Sequence, residues 1–111
     1  MSGHHYVDSR PGLLKRLWGE VCALPIRQRH ALLLNLRDEQ RSSALLLLPR
    51  IGIASFADIA NVLDMTDEEL HFIWNDLPMD DLQIARRLGL TRQQVINLRK
   101  TARARLIRRM A

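Results

Sequence analysis

Two stretches of this chain decide how it folds: Ser55–Trp74, SFADIANVLDMTDEELHFIW, and Asp80–Arg99, DDLQIARRLGLTRQQVINLR. Set at a fixed offset of 25 residues, they repeat one another. Ile59 falls on Ile84, Ala60 on Ala85, Leu63 on Leu88, Met65 on Leu90, Thr66 on Thr91, Leu70 on Val95 and Ile73 on Leu98. The helix-start signals repeat as well. Ser55 with Asp58, Thr66 with Glu69, Asp80 with Gln83 and Thr91 with Gln94 each pair a small polar residue with an acid or amide three residues later. That is the spacing of a capping box, which satisfies backbone N–H groups left without partners at a helix start. Each stretch therefore predicts a helix, a tight turn and a second capped helix, with Pro78 between the two units.

This is the anatomy of a helix-turn-helix. In the second unit the first helix is Asp81 to Leu88. Ala85 is small where two helices cross, Gly89 is suited to the left-handed conformation that ends a helix, and Thr91 caps the next one. Val95, Leu98, Ala102 and Leu106 form the buried stripe of that helix, leaving Arg92, Gln93, Ile96, Asn97, Arg99, Lys100 and Arg103 outward. In the first unit Asp64 replaces the turn glycine, a tolerable exchange because Asp visits the left-handed region. Its second helix presents Asp67, Glu68, His71, Phe72 and Trp74, a surface that repels phosphates.

Outward from the repeat, helices are also expected upstream. Leu13, Leu14, Leu17, Trp18, Val21 and Cys22 follow helical spacing from Pro11. Pro25 opens a second helix that buries Ile26, Leu33 and Leu36 and ends near Asp38. A third begins at Ser42 or Ser43 and stops before Pro49, and Gly52 breaks the connector Arg50–Ala54. Residues 1–10 have no periodicity and read as a flexible lead-in, with His4 and His5 as a metal-binding pair or a cloning remnant. The expected class is thus all-α, a helical bundle with two tandem helix-turn-helix units. Its parts are a lead-in over 1–10, N-terminal helices over 11–54, an acidic degenerate unit over 55–79 and a basic unit over 80–111.

Charge separates the two units. Residues 56–81 hold eight Asp/Glu and no Lys/Arg, whereas residues 82–111 hold nine Lys/Arg and no Asp/Glu. The basic end has the footprint of a polyanion binder. Arg92, Gln93 and Asn97 lie where a major-groove helix reads bases: Arg pairs bidentately with guanine, Gln or Asn with adenine. Arg86, Arg87, Thr91, Arg99, Lys100 and Arg103 are assigned to phosphates. Trp18, Trp74 and Cys22 read as core residues, and His30 and His71 have no neighbour at ligand spacing. With no glycine-rich phosphate loop or nucleophile motif, neither an enzyme nor a metal, cofactor or small-molecule substrate is expected. The longest apolar runs, Ala31–Leu34 and Ala44–Pro49, are too short to span a bilayer. A single cysteine and no secretion signal point to a reduced, cytoplasmic setting.

Leu88-Gly-Leu-Thr-Arg-Gln-Gln-Val95, continuing through Leu98, Ala102 and Leu106, resembles region four of the sigma-70 family of bacterial transcription factors. Leu24-Pro-Ile-Arg-Gln-Arg-His-Ala-Leu-Leu-Leu34 with Arg37-Asp38 is similar to the helix that opens that region. The resemblance implies a module that recognises a promoter −35 type element in double-stranded DNA and docks on the RNA polymerase core at the β-flap. It places the base-reading positions on Arg92, Gln93, Ile96 and Asn97. Principal members carry a basic residue at the place of Ile96, and an apolar side chain there meets a thymine methyl instead. The acidic unit is extra to the family's pattern, and no stretch resembles region two, so the chain reads as part of a larger sigma-like protein rather than a stand-alone regulator. The competing reading is a protein-interaction module that binds polymerase or a regulator through the acidic unit. A third is a self-masked switch, with the acidic unit laid on the basic helix.

Overall fold

A computed structural model describes the backbone from Ser2 to Ala111 and the side chains from Gly12 onward. The described chain is all-helical: α1 (Ser2–Cys22), α2 (Ile26–Leu33), α3 (Leu47–Arg50), α4 (Phe56–Val62), α5 (Asp67–Ile73), α6 (Asp81–Leu88) and α7 (Arg92–Met110), with short 3-10 turns before α3 and after α5. None of these helices is long and apolar enough to cross a membrane.

The centre of the fold is α2. Its end, Ala31–Leu34, is buried on every side, so that one short run supplies core to several neighbours. Both α6 and α7 pack on α2, and α1 packs on α7. Towards the C-terminus Arg16 Nη2 donates to the carbonyl of Arg109 (3.1 Å), and Arg109 pairs with Glu20 (3.2 Å).

Several boundaries differ from those the sequence predicts. The first helix begins at Ser2 rather than Pro11. The expectation for His4 and His5 lies outside the described side chains. Leu13 and Leu14 are exposed, so the buried stripe of α1 starts only at Leu17. Ile26 is exposed too, and α2 stops at Leu33, not Asp38. The reason is local: Asp38 Oδ1 accepts from the N–H groups of Gln40 and Ser42 (2.8 and 2.9 Å), which closes a loop in place of another helical turn. Ser43 caps a 3-10 turn, Ala44–Leu46, that leads into α3. That helix runs through Pro49 to Arg50, because proline within the first turn loses no helical hydrogen bond. Cys22 is half-buried rather than buried, and burial raises its pKa, which keeps the thiol protonated.

The helix pairs α4–α5 and α6–α7 share one turn geometry. Asp64 (φ 54°) and Gly89 (φ 68°) occupy the left-handed region at corresponding positions. Met65 N–H donates to Ala60 O and Leu90 N–H to Ala85 O, both at 2.9 Å. Ile59 and Ile84, Ala60 and Ala85, and Leu70 and Val95 are all buried. Ser55–Asp58, Asp80–Gln83 and Thr91–Gln94 form reciprocal capping boxes. Thr66 is the exception: it accepts from Glu69 N–H, without a bond returned by the Glu69 side chain.

Candidate nucleic-acid interface

The basic helix is set in place by its turn. Gly89 ends α6 without strain, Leu90 tucks half-buried under the turn, and Thr91 starts α7 with Oγ1 accepting from Gln94 N–H (3.1 Å). Gln94 Oε1 accepts in return from Thr91 N–H (2.8 Å). Val95 and Ala102 are buried and Leu98 and Leu106 half-buried, the stripe predicted from spacing. These contacts fix the rotation of α7 and hence which residues face solvent.

Arg92, Gln93, Asn97, Lys100 and Arg103 are exposed, and Ile96 is half-buried among them. Gln93 Nε2 donates to Asn97 Oδ1 (3.0 Å), so the two amides one turn apart are aligned on one face. Each keeps further donors and acceptors for a base edge. Arg86 is exposed at the end of α6. Arg87 is exposed too, but its guanidinium turns towards the other pair, 3.9 Å from Met65 Sδ. Thr91 Oγ1 is engaged as an acceptor, which leaves its O–H to donate to a phosphate. The sequence of α7 contains seven Lys/Arg and no Asp/Glu. Among the described residues the ion pairs are Arg99–Asp81 and Arg109–Glu20 alone, so Arg92, Lys100, Arg103, Arg105 and Arg108 carry unpaired positive charge.

Arg99 departs from the expected outward, phosphate-facing position. Its side chain is only 11% exposed, donating from Nε to the carbonyl of Ala31 (3.0 Å) and pairing with Asp81 at the start of α6. It thus ties α7 to α2 and α6 at once and positions the helix. The signal for this was present: Arg99 lies four residues after Val95 and three before Ala102, on the flank of the buried stripe. The sequence also showed no sign of the bonds that Arg29 and His30 make. Arg29 Nη1 donates to Val62 O (2.9 Å) and His30 Nε2–H to Leu63 O (2.7 Å), so α2 caps the C-terminal carbonyls of α4. Burial lowers the His30 pKa, helped by the charges of Arg87 and Arg29 and opposed by the bond to Leu63.

No family model, curated protein or solved structure matches the chain.

The acidic pair presents a different surface from the same frame. Asp67, Glu68, His71 and Phe72 stand where α7 carries Arg92, Gln93, Ile96 and Asn97, and all four are exposed. Phe72 is 85% exposed. Trp74 is half-buried and packs on Phe56 with ring centroids 4.9 Å apart, while His71 meets the edge of the same ring at 6.2 Å. Trp18 is likewise half-buried against the core. Among the described residues no three His, Cys, Asp or Glu side chains gather as metal ligands.

Proposed function

We propose that this chain binds duplex DNA through α7, as the reading helix of the second of two tandem helix-turn-helix units. The observation that carries the reading is the exposed row Arg92, Gln93, Asn97 and Lys100 on a helix that has no carboxylate of its own and whose rotation is set by Thr91, Val95 and Arg99. Arg92, Gln93 and Asn97 supply bidentate donors and acceptors for base edges, and Ile96 supplies an apolar contact. Arg86, Thr91, Lys100 and Arg103 hold the phosphates that set register, with Arg87 at the margin. Arg99 acts from behind the interface. The resemblance to sigma-70 region four extends the proposal to a −35 type promoter element and to docking on the polymerase β-flap.

The test is selection of binding sites from a random duplex pool, followed by affinity measurement across a salt series. A selected consensus is expected, with log affinity falling by about 0.9 per neutralised phosphate for each tenfold rise in salt. Equal binding to all duplexes with a shallow salt slope overturns the reading.

A further inference from the structure

The acidic pair has a surface that the described residues leave uncovered. Glu68, Glu69 and Phe72 lie at spacings of three and four on α5, one face of a helix. With Ile73 and Arg87 they line an open groove. Phe72 stands almost fully in solvent one turn after the two carboxylates, and neither carboxylate takes part in an ion pair among the described residues. The complement to this surface is elsewhere on the same chain. Lys100, Arg103, Ala104, Ile107 and Arg108 share one exposed face of α7 at spacings of three and one. There Ile107, 71% exposed, sits beside Arg103 and Arg108. One surface is an aromatic ring flanked by acids and the other an aliphatic side chain flanked by guanidinium groups.

Among the described residues no ion pair joins the two faces within one copy. The acidic helix α5 packs on α4, whereas the end of α7 is held by α1 through Arg16 and Glu20. The ion pairs that a self-masked arrangement, acidic unit on basic helix, calls for are absent among the described residues. We propose that the Glu68–Glu69–Phe72 face of one copy docks the Arg103–Ile107–Arg108 face of a second copy, head to tail. Phe72 and Ile107 are the apolar anchors, and the charges around them set the pairing and orientation. Such an interface is heterologous: each copy keeps one free donor and one free acceptor surface, so association propagates beyond a dimer.

The experiment is sedimentation equilibrium of nuclease-treated protein without DNA, over a concentration series into the millimolar range. Wild type is expected to gain mass continuously with concentration at low salt and to lose that gain at high salt. Phe72→Ser and Ile107→Ser change exposed side chains, and unchanged circular dichroism confirms their folding. Each variant alone is expected to be monomeric, with association weakened at least about tenfold. Mixed, the two restore one intact donor–acceptor pair and form a dimer that stops at one copy of each. A wild type that stays monomeric throughout overturns the proposal. So do single variants that associate like wild type, and so does a mixture of folded variants that forms no dimer. Because no DNA is present, none of these outcomes depends on the DNA-binding reading.

Discussion

The α4–α5 and α6–α7 pairs turn their chains in the same way and show solvent opposite chemistry. Inside, the two agree residue by residue: a buried isoleucine and alanine in the first helix, a left-handed turn residue, and a buried Leu70 or Val95 in the second. Outside, Arg92, Gln93 and Asn97 of one pair stand where the other has Asp67, Glu68 and Phe72. Packing constrains the interior, since a change of even one methylene is felt there. The outer face has no such constraint, so that is where the two pairs differ in chemistry. The second helices also differ in reach. α7 continues for 19 residues because α2, α6 and α1 all pack along it, whereas α5 ends after seven in a 3-10 turn.

The largest effect expected from probing this comparison is steric. Ala60→Leu and Ala85→Leu each overpack a buried position and are expected to cost about 1–3 kcal/mol, read from denaturant unfolding. Only Ala85→Leu is expected also to weaken DNA binding per folded molecule, because it displaces α7. Equal loss of DNA affinity in both variants breaks the division between the pairs.

The turns give a smaller and asymmetric effect. A Cβ at Gly89 meets no atom within 4 Å, so Gly89→Ala tests backbone strain at φ 68° alone. The expected cost is about 1–2 kcal/mol. Asp64 already bears a side chain at φ 54°, and Asp64→Gly is expected to fall within about 0.5 kcal/mol of zero, relief of strain being offset by a more flexible unfolded chain. Thermal melts of the two variants check both values.

The smallest effect concerns pH and belongs to the first pair alone. His30 is held neutral, its Nε2–H on Leu63 O and its Nδ1 buried without a partner among the described residues. Its folded pKa is lowered, so at intermediate pH the unfolded chain binds the extra proton. The contribution is complete above the ordinary imidazole pKa of 6.5 and is lost as pH falls from there towards the folded value. His30→Gln is expected to flatten the fall in melting temperature over that acid range. An unchanged profile contradicts the capping role assigned to the neutral ring.

The two pairs were legible in the sequence because their determinants are local. The cap residues, the turn residues and the apolar spacing lie within a few positions of what they control, and Asp64 in place of glycine was readable as a tolerated exchange. What escaped depends on distant partners. Arg99 looked like one more outward cation until Ala31 O and Asp81 came within reach of it. Spacing along α2 assigned no cap to Arg29 or His30, because the carbonyls they cap lie 33 residues away. The end of α2 was misplaced because the apolar spacing continues to Leu36, while the Asp38 side chain competes locally for backbone N–H groups and closes a loop. At the candidate interface, spacing identified the exposed row of α7, but not that Arg87 turns towards Met65.

The central claim, that α7 reads DNA while α5 does not, is tested most directly by binding of Gln93→Ala, Lys100→Ala and Glu68→Ala to a selected site and to scrambled duplex across a salt series. Gln93→Ala is expected to lose about 1–3 kcal/mol on the selected site and relax preference at one base pair, with little change on scrambled DNA. Lys100→Ala is expected to weaken both duplexes alike and reduce the salt slope by about one. Glu68→Ala, at the corresponding place in the acidic pair, is expected to bind both duplexes no less tightly than wild type. If Gln93→Ala and Lys100→Ala both bind like wild type, or if Glu68→Ala is the variant that loses site preference, α7 is not the reading helix and the claim is contradicted.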